Sequence, residues 1–215
     1  MTARTVPDGA DGRAEAVRVL EAGGIVALPT DTVYGLAANL ADVDAIERLF
    51  AAKRRPADRA VVLLLAEAQQ AGELAAWPPA AEALARAFWP GALTLVVSQR
   101  PEAGLPSELT GGRPTIGLRV ADHPSPHALA AALGPLPVTS ANVSGLPEAS
   151  DAAEIRDQLG DAIELILDGG QARGGPPSTV VDCSRGLPAI LRAGSISDDA
   201  IATCLRDAGL PGLEG

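Results

Sequence analysis

The sequence predicts a single α/β domain, a twisted mixed β-sheet flanked by helices with a concave cleft, on three observations. Apolar runs of strand length interleave with segments of helical periodicity along the chain. No linker, composition shift or internal repeat divides its 215 residues, and the domain is expected over 10–200, with 201–215 as the end of a last helix and a tail. Two runs, Thr179–Cys183 and Ala189–Arg192, are joined by the turn Ser184-Arg185-Gly186 and read as a hairpin, so the sheet is mixed and not a strict βαβ series.

In chain order, residues 11–22 place Ala14, Val17 and Leu20 at helical spacing, and Gly23-Gly24 ends that helix. Ile25–Leu28, bounded by Pro29, is a buried strand. Thr30-Asp31-Thr32-Val33-Tyr34-Gly35-Leu36 follows a strand end, where open α/β sheets place ligands, although a plain turn uses similar residues. Asp42 caps a helix whose apolar face is Ile46, Leu49 and Phe50; it stops near Arg54 because Pro56 disfavours helix before it. Val61–Leu65 is a central strand, segments 67–75 and 79–88 are helical, and Trp89-Pro90-Gly91 ends the second. Leu93–Val97 is a strand, and residues 100–113 form a Pro/Gly-rich loop.

Thr115–Val120 alternates: with Ile116, Leu118 and Val120 in the core, Thr115, Gly117 and Arg119 share the opposite face, where Gly117 leaves room for a ligand. A helix covers 126–133; His123 and His127 are read as exposed loop histidines, since Pro124 and Pro126 forbid a helical turn between them. Leu136–Val138 is a short strand leading into Thr139-Ser140-Ala141-Asn142-Val143-Ser144-Gly145. Asp151 caps a helix to Leu159, Ile163–Leu167 is a strand, Asp168–Ser178 is a glycine-rich loop, and a last helix lies near 197–208.

Composition narrows the function classes. Hydrophobic residues are 47% and charged residues 20%, so a packed core is expected, and with 2% aromatics it is built from Ala, Leu, Val and Ile. No run approaches the roughly 18 apolar residues of a membrane span, and the polar N-terminus lacks the apolar centre of a signal peptide, so the expected location is the cytoplasm. Cys183 and Cys204 have neither disulfide nor zinc spacing and are read as buried apolar fillers, and no metal site is expected. A net charge of −10 argues against nonspecific coating of nucleic acid, while a local basic pocket would draw an anionic ligand to one place.

Such a pocket has candidates. Of the 17 basic residues, 16 are arginine, and the one lysine, Lys53, opens Lys53-Arg54-Arg55-Pro56, with Arg59 beyond. Either an ammonium is required there, as a compact point charge against phosphate, or Lys53 is a solvated charge at a helix end. Clusters of hydroxyl and amide residues at 30–35, 139–145 and 175–179, with the basic run, Arg119 and Arg192, suit an anionic, hydroxyl-bearing ligand if they converge. Each cluster alone is also what caps and turns use. There is no P-loop, no GxGxxG after a strand and no GxSxG elbow.

Seven motifs occur in order: Pro29-Thr-Asp-Thr-Val-Tyr-Gly-Leu36, Lys53-Arg-Arg-Pro56, Trp89-Pro-Gly91, Gly117-Leu-Arg119, Ser140-Ala-Asn-Val-Ser-Gly145, Pro177-Ser-Thr-Val-Val-Asp182 and Leu191-Arg-Ala-Gly194. Together they resemble the threonylcarbamoyl-AMP synthase family with the YrdC-like fold, in its short single-domain TsaC type. The resemblance implies an enzyme, a nucleotidyltransferase that joins L-threonine, bicarbonate and ATP, with Mg²⁺, into L-threonylcarbamoyl-AMP and pyrophosphate. The product feeds the N6-threonylcarbamoyladenosine modification of tRNA through a downstream transferase machinery.

By the same resemblance, Lys53 and Arg55 form the catalytic phosphate-binding pair. Arg59, Thr115, Ser140, Asn142 and Arg192 complete the ATP site; Thr32 and Ser178 contact threonine, and Arg119 clamps its carboxylate. The chain departs from longer relatives at Arg59-Ala60-Val61, where those read Asn-Pro-Leu, and at Leu64, where those carry a histidine. Two alternatives stand beside the enzyme: a noncatalytic or differently specific YrdC-like paralogue that binds tRNA or double-stranded RNA, and a carbamoyl-adenylate step on another amine, as in hydrogenase-maturation carbamoyltransferases.

Overall fold

One ten-stranded mixed sheet carries the molecule. The computed structural model describes residues 2–54, 61–172 and 175–214. The strands are β1 (Arg4–Pro7), β2 (Val26–Leu28), β3 (Gly35–Ala37), β4 (Val62–Leu64), β5 (Leu93–Ser98), β6 (Thr115–Arg119), β7 (Leu136–Ser140), β8 (Leu165–Asp168), β9 (Thr179–Asp182) and β10 (Ala189–Arg192). Their spatial order is β1-β8-β2-β3-β7-β4-β6-β5-β9-β10. β8 lies parallel to both β1 and β2, and β4–β6 and β5–β9 are also parallel, whereas β2–β3, β3–β7, β4–β7, β5–β6 and β9–β10 are antiparallel. The sheet is mixed and β9–β10 is the expected hairpin.

The helices are α1 (Ala10–Glu21), α2 (Val43–Ala52), α3 (Ala71–Leu74), α4 (Pro79–Phe88), α5 (Ser107–Thr110), α6 (Pro124–Leu133), α7 (Ala152–Leu159) and α8 (Asp198–Asp207). Local chemistry sets their ends. Asp42 accepts from the Ala45 amide at 3.0 Å, and Asp151 accepts from Ala153 and Glu154 at 2.9 and 3.0 Å, satisfying amide donors that a helix start leaves without partners. None of these helices is long and apolar enough to cross a membrane.

Period-2 geometry divides the strand residues between two faces of the sheet. Ala27, Leu36, Leu63, Leu95 and Leu118 face the larger one, with Ile46 and Leu49 of α2, Leu84 of α4, Ile155 of α7 and Ile201 of α8. Val26, Leu28, Ala37, Leu64, Val138 and Leu165 face the other, beneath Ala16 and Leu20 of α1 and Leu129 of α6. That second face is covered by helices only over part of the sheet. Over β6, β5, β9 and part of β4 it stays open, and the opening is the cleft.

The structure adds one strand and corrects several expectations. β1 was not anticipated: its pattern is too short and polar to register, and it is held by parallel pairing with β8. β3 takes in Gly35 and Leu36, the end of the stretch that reads as a ligand loop. Residues 100–113 contain a 3₁₀ turn (Pro101–Ala103) and α5. The helix expected from 126 begins at Pro124, with His123 as its N-cap; the His123 imidazole accepts from the Ser125 amide at 3.2 Å, and the His127 amide reaches the His123 carbonyl at 3.5 Å. Prolines in a first turn remove only donors that have no intrahelical acceptor, so they permit the turn they were expected to forbid. Cys183 is buried as expected, while Cys204 is half-buried on α8.

Candidate functional site

The cleft is a cavity of about 840 Å³, within the range of small-molecule sites. Strand register dictates its floor. Leu64 pairs with Arg119, Val62 with Gly117 and Val138, Val96 with Gly117 and Asp182, and Ser98 with Thr115. Continued one residue beyond the Leu95–Leu118 pair, the β5–β6 register brings Thr94 level with Arg119, and Val180 is its partner on the other side. Thr115, Gly117 and Arg119 do share the cavity face, as the alternation predicted. A Cβ at Gly117 would lie 3.5 Å from both Thr94 Cγ2 and Val62 Cγ2, an ordinary contact, so the glycine contributes cavity volume without relieving a clash.

One end of the cavity holds a buried arginine. The Arg119 guanidinium donates from Nη2 to Asp31 Oδ1 at 2.6 Å, from Nη1 to Thr32 Oγ1 at 3.2 Å and from Nε to the Gly91 carbonyl at 2.9 Å. Both side chains of the ion pair are nearly buried, 7% and 6% exposed. Burial pulls the Arg119 pKa below its ordinary value against the opposing pull of Asp31, and the nearby Arg192 charge adds to the lowering. A fork with five donors has then committed three, and one N–H on each terminal nitrogen remains for a carboxylate.

Arg192 and Ser178 form the adjoining wall. Arg192 donates from Nε and Nη2 to the Ser178 carbonyl, at 3.2 and 2.8 Å, and from Nη2 to Ser178 Oγ at 3.0 Å. Ser178 Oγ also pairs with Thr94 Oγ1 at 2.9 Å. The close approach of Gly194 to the backbone of Pro177–Thr179 holds this wall, since a Cβ there would stand 2.3 Å from the Pro177 carbonyl oxygen and 2.4 Å from the Thr179 nitrogen.

At the other end lie Thr115, Ser140 and, behind them, Lys53. The lysine is the C-cap of α2, yet its side chain is only 2% exposed, which rules out a solvated charge at a helix end. Its ammonium donates to the Ser140 carbonyl, to the Asn142 carbonyl at 2.7 Å and Asn142 Oδ1 at 3.1 Å, and approaches Ser140 Oγ at 3.4 Å. The Lys53 carbonyl in turn accepts from the Ser144 amide at 3.0 Å. Ser140 Oγ, on the cavity wall, donates to Asn142 Oδ1 at 2.7 Å. Lys53 thus stands beneath the Ser140–Asn142 segment and gathers it, while Asn142 is itself 7% exposed.

Thr32, Thr115, Arg119, Ser140, Ser178 and Arg192 line one cavity; Lys53 and Asn142 support its wall, and Arg55 and Arg59 lie outside the described residues. Leu64 lines the floor beside Arg119, presenting an apolar surface there. Residue-level reading missed Thr94 and Ser98, although their polar character at period 2 in Leu93-Thr94-Leu95-Val96-Val97-Ser98 is a signal for a strand with one wet face. It also passed over Asp31 as the partner of Arg119 and Tyr34 as a clamp. The Tyr34 hydroxyl donates to the Gly170 carbonyl at 2.6 Å and accepts from the Gly169 amide at 3.0 Å, and burial pushes its pKa up. Among the described residues no group of three His, Cys, Asp or Glu side chains is placed to hold a metal ion.

Comparison with known proteins identifies the family. A putative threonylcarbamoyl-AMP synthase of Mycobacterium tuberculosis is 40% identical over 195 residues, 90% of this chain and 89% of that protein. The threonylcarbamoyl-AMP synthase of Bacillus subtilis is 38% identical over 190 residues, 87% of this chain but 55% of that longer protein. The crystal structure of Pyrococcus abyssi Sua5 complexed with L-threonine superposes with a TM-score of 0.88 at 36% identity, covering 95% of this chain and 61% of that one. This chain therefore spans a little over half of the longer relatives and nearly the whole length of the short one. The Sua5/YciO/YrdC family model, described as telomere recombination, matches residues 18–194. With that match, and with the sheet, cavity and motifs above, the chain belongs to the Sua5/YciO/YrdC family.

Proposed function

We propose that the protein is an L-threonylcarbamoyladenylate synthase, forming L-threonylcarbamoyl-AMP and pyrophosphate from L-threonine, bicarbonate and ATP. The observation that carries the reading is one cavity with a buried, ion-paired arginine at one end and a hydroxyl-rich wall backed by a buried ammonium at the other. The names of its relatives and the L-threonine bound to the Pyrococcus abyssi protein support it.

In this scheme Arg119 takes the threonine carboxylate on its two remaining N–H groups, and Thr32 and Ser178 orient the amino acid. Bicarbonate loses hydroxide as its C–OH bond breaks, and the hydroxide takes one proton from the threonine ammonium to leave as water. The amine bonds to the carbon of the carbon dioxide and gives its second proton to solvent, leaving a carbamate. A carbamate oxygen then attacks the α-phosphorus, the bond from that phosphorus to the bridging oxygen breaks, and pyrophosphate leaves. The chain supplies position and charge more than covalent chemistry. Ser140 and Thr115 contact the nucleotide, Asn142 and Lys53 hold Ser140 in place, and Arg192, whose Nε and Nη2 are engaged by Ser178, keeps its Nη1 donors for developing phosphate charge. Arg55 and Arg59, which lie outside the described residues, are assigned to the phosphates by the family resemblance alone. Mg²⁺ would be held by the ATP phosphates and would supply charge neutralisation there, since among the described residues no group of three His, Cys, Asp or Glu side chains is placed to hold it.

The product passes to a tRNA-modifying transferase in the cytoplasm. The test is pyrophosphate release from ATP with each amino acid in turn: release that requires both L-threonine and bicarbonate supports the reading, and release indifferent to either refutes it. A filter-binding salt titration with tRNA and double-stranded RNA tests the binding-protein alternative, for which affinity falls steeply as salt rises.

A further inference from the structure

We infer that Thr94 is a substrate-contacting residue of the amino-acid site, acting as one half of a hydroxyl pair with Ser178 that offers a single proton to an acceptor oxygen of the bound amino acid. This inference rests on the amino-acid-activating reading above.

The argument is a count of protons. Thr94 Oγ1 and Ser178 Oγ lie 2.9 Å apart, and the two residues are 1% and 5% exposed. Each hydroxyl has one proton and two acceptor lone pairs, whereas the Arg192 guanidinium can only donate. Ser178 Oγ therefore accepts from Arg192 Nη2 at 3.0 Å, whichever way its own proton points. One of the pair's two protons closes the Thr94–Ser178 bond. The other has no acceptor among the described residues, since Thr94 makes no other hydrogen bond there and the remaining Ser178 contacts go through its carbonyl.

A buried hydroxyl with an unspent donor is costly unless a ligand or water takes it. Both residues line the cavity. The β5–β6 register sets Thr94 across from Arg119, and the Arg192 charge is felt at Arg119, so the spare proton lies beside the group that takes the carboxylate. The acceptor is an oxygen of the same amino acid, either of its carboxylate or of its side-chain hydroxyl. Arg192 fixes the orientation of the pair from the nucleotide side, which makes the two halves of the cavity neighbours through one serine.

Calorimetric titration of L-threonine, L-valine and ATP into wild type, Thr94→Val and Thr94→Ser tests this without turnover. The valine substitution keeps the shape and removes the hydroxyl; the serine substitution keeps the hydroxyl. Loss of one donated bond predicts about tenfold weaker L-threonine binding in Thr94→Val, recovery to within about twofold in Thr94→Ser, and ATP affinity unchanged in both. A penalty that persists with L-valine assigns the proton to the carboxylate, and one that disappears assigns it to the side-chain hydroxyl; either supports the inference. Wild-type affinity for L-threonine in Thr94→Val, or equal weakening in both variants, overturns it while leaving the proposed activity intact. A wild-type protein that binds no amino acid refutes both.

Discussion

Replacing Lys53 by methionine separates a lysine that holds the wall from one that only touches substrate. The ammonium gathers three acceptors on Ser140 and Asn142, and the side chain is 2% exposed. Hydrogen bonds from a charged donor contribute about 1.5–3 kcal/mol each. Against them stands the desolvation of a buried ammonium, several kcal/mol, which methionine avoids. The Ser140 carbonyl keeps the Asn142 amide at 3.0 Å and Asn142 Oδ1 keeps the Ser140 hydroxyl, so the Asn142 carbonyl is the acceptor left poorest. The balance is a loss of about 3 kcal/mol, which for a chain of this size lowers Tm by about 6–12 °C. Urea unfolding followed by circular dichroism measures it, with ATP binding titrated on the same samples. Lys53→Arg does not rescue, because a planar fork cannot deliver three bonds to acceptors that converge on one atom. Wild-type stability in Lys53→Met, with ATP binding abolished, would refute the reasoning and make the ammonium a ligand contact alone.

Three further outcomes are expected. Asp31→Asn leaves the Arg119 guanidinium buried without its carboxylate, which costs about 3–5 kcal/mol, and saturating L-threonine raises the Tm of this variant more than that of wild type; equal shifts in thermal denaturation would show that no substrate carboxylate meets Arg119. Gly194→Ala drives a methyl into the Pro177–Thr179 backbone and costs about 1–3 kcal/mol, with weakened binding of both L-threonine and ATP because Ser178 and Arg192 move together. Burial, with the Asp182 carboxylate adding, pushes the Cys183 thiol up to about 12, so at pH 8 iodoacetamide leaves it unmodified in the folded protein and labels it once unfolded, as read by mass spectrometry.

Much of the site was legible because motif residues sit on strands. Alternation in Thr115–Arg119 placed Thr115, Gly117 and Arg119 on one face before any contact was known, and the structure puts all three on the cavity floor. The same logic applied to Leu93–Ser98 would have found Thr94. The segment reads as a plain apolar strand because Val96 interrupts its polar face, and a half-polar face is visible only when a neighbouring strand shows what lies opposite. The histidines at 123 and 127 show the opposite: along the sequence Pro124 and Pro126 read as breakers, yet a first helical turn has no bond for a proline to remove.

Lys53 marks the division most clearly. Its rarity among 16 arginines and its position after an amphipathic helix are local facts, sufficient to single it out, and the hydrophobic periods around it were enough for the fold class and most elements. Its partners at Ser140 and Asn142 lie 87 and 89 residues away, brought near by a sheet whose order interleaves β7, β4 and β6. Whether its charge meets solvent, phosphate or a carbonyl cage depends on those long-range contacts. Periodicity is a property of neighbours along the chain, whereas a binding cavity is the part of a sheet face that no helix covers, and that is set by how all the elements share the surface.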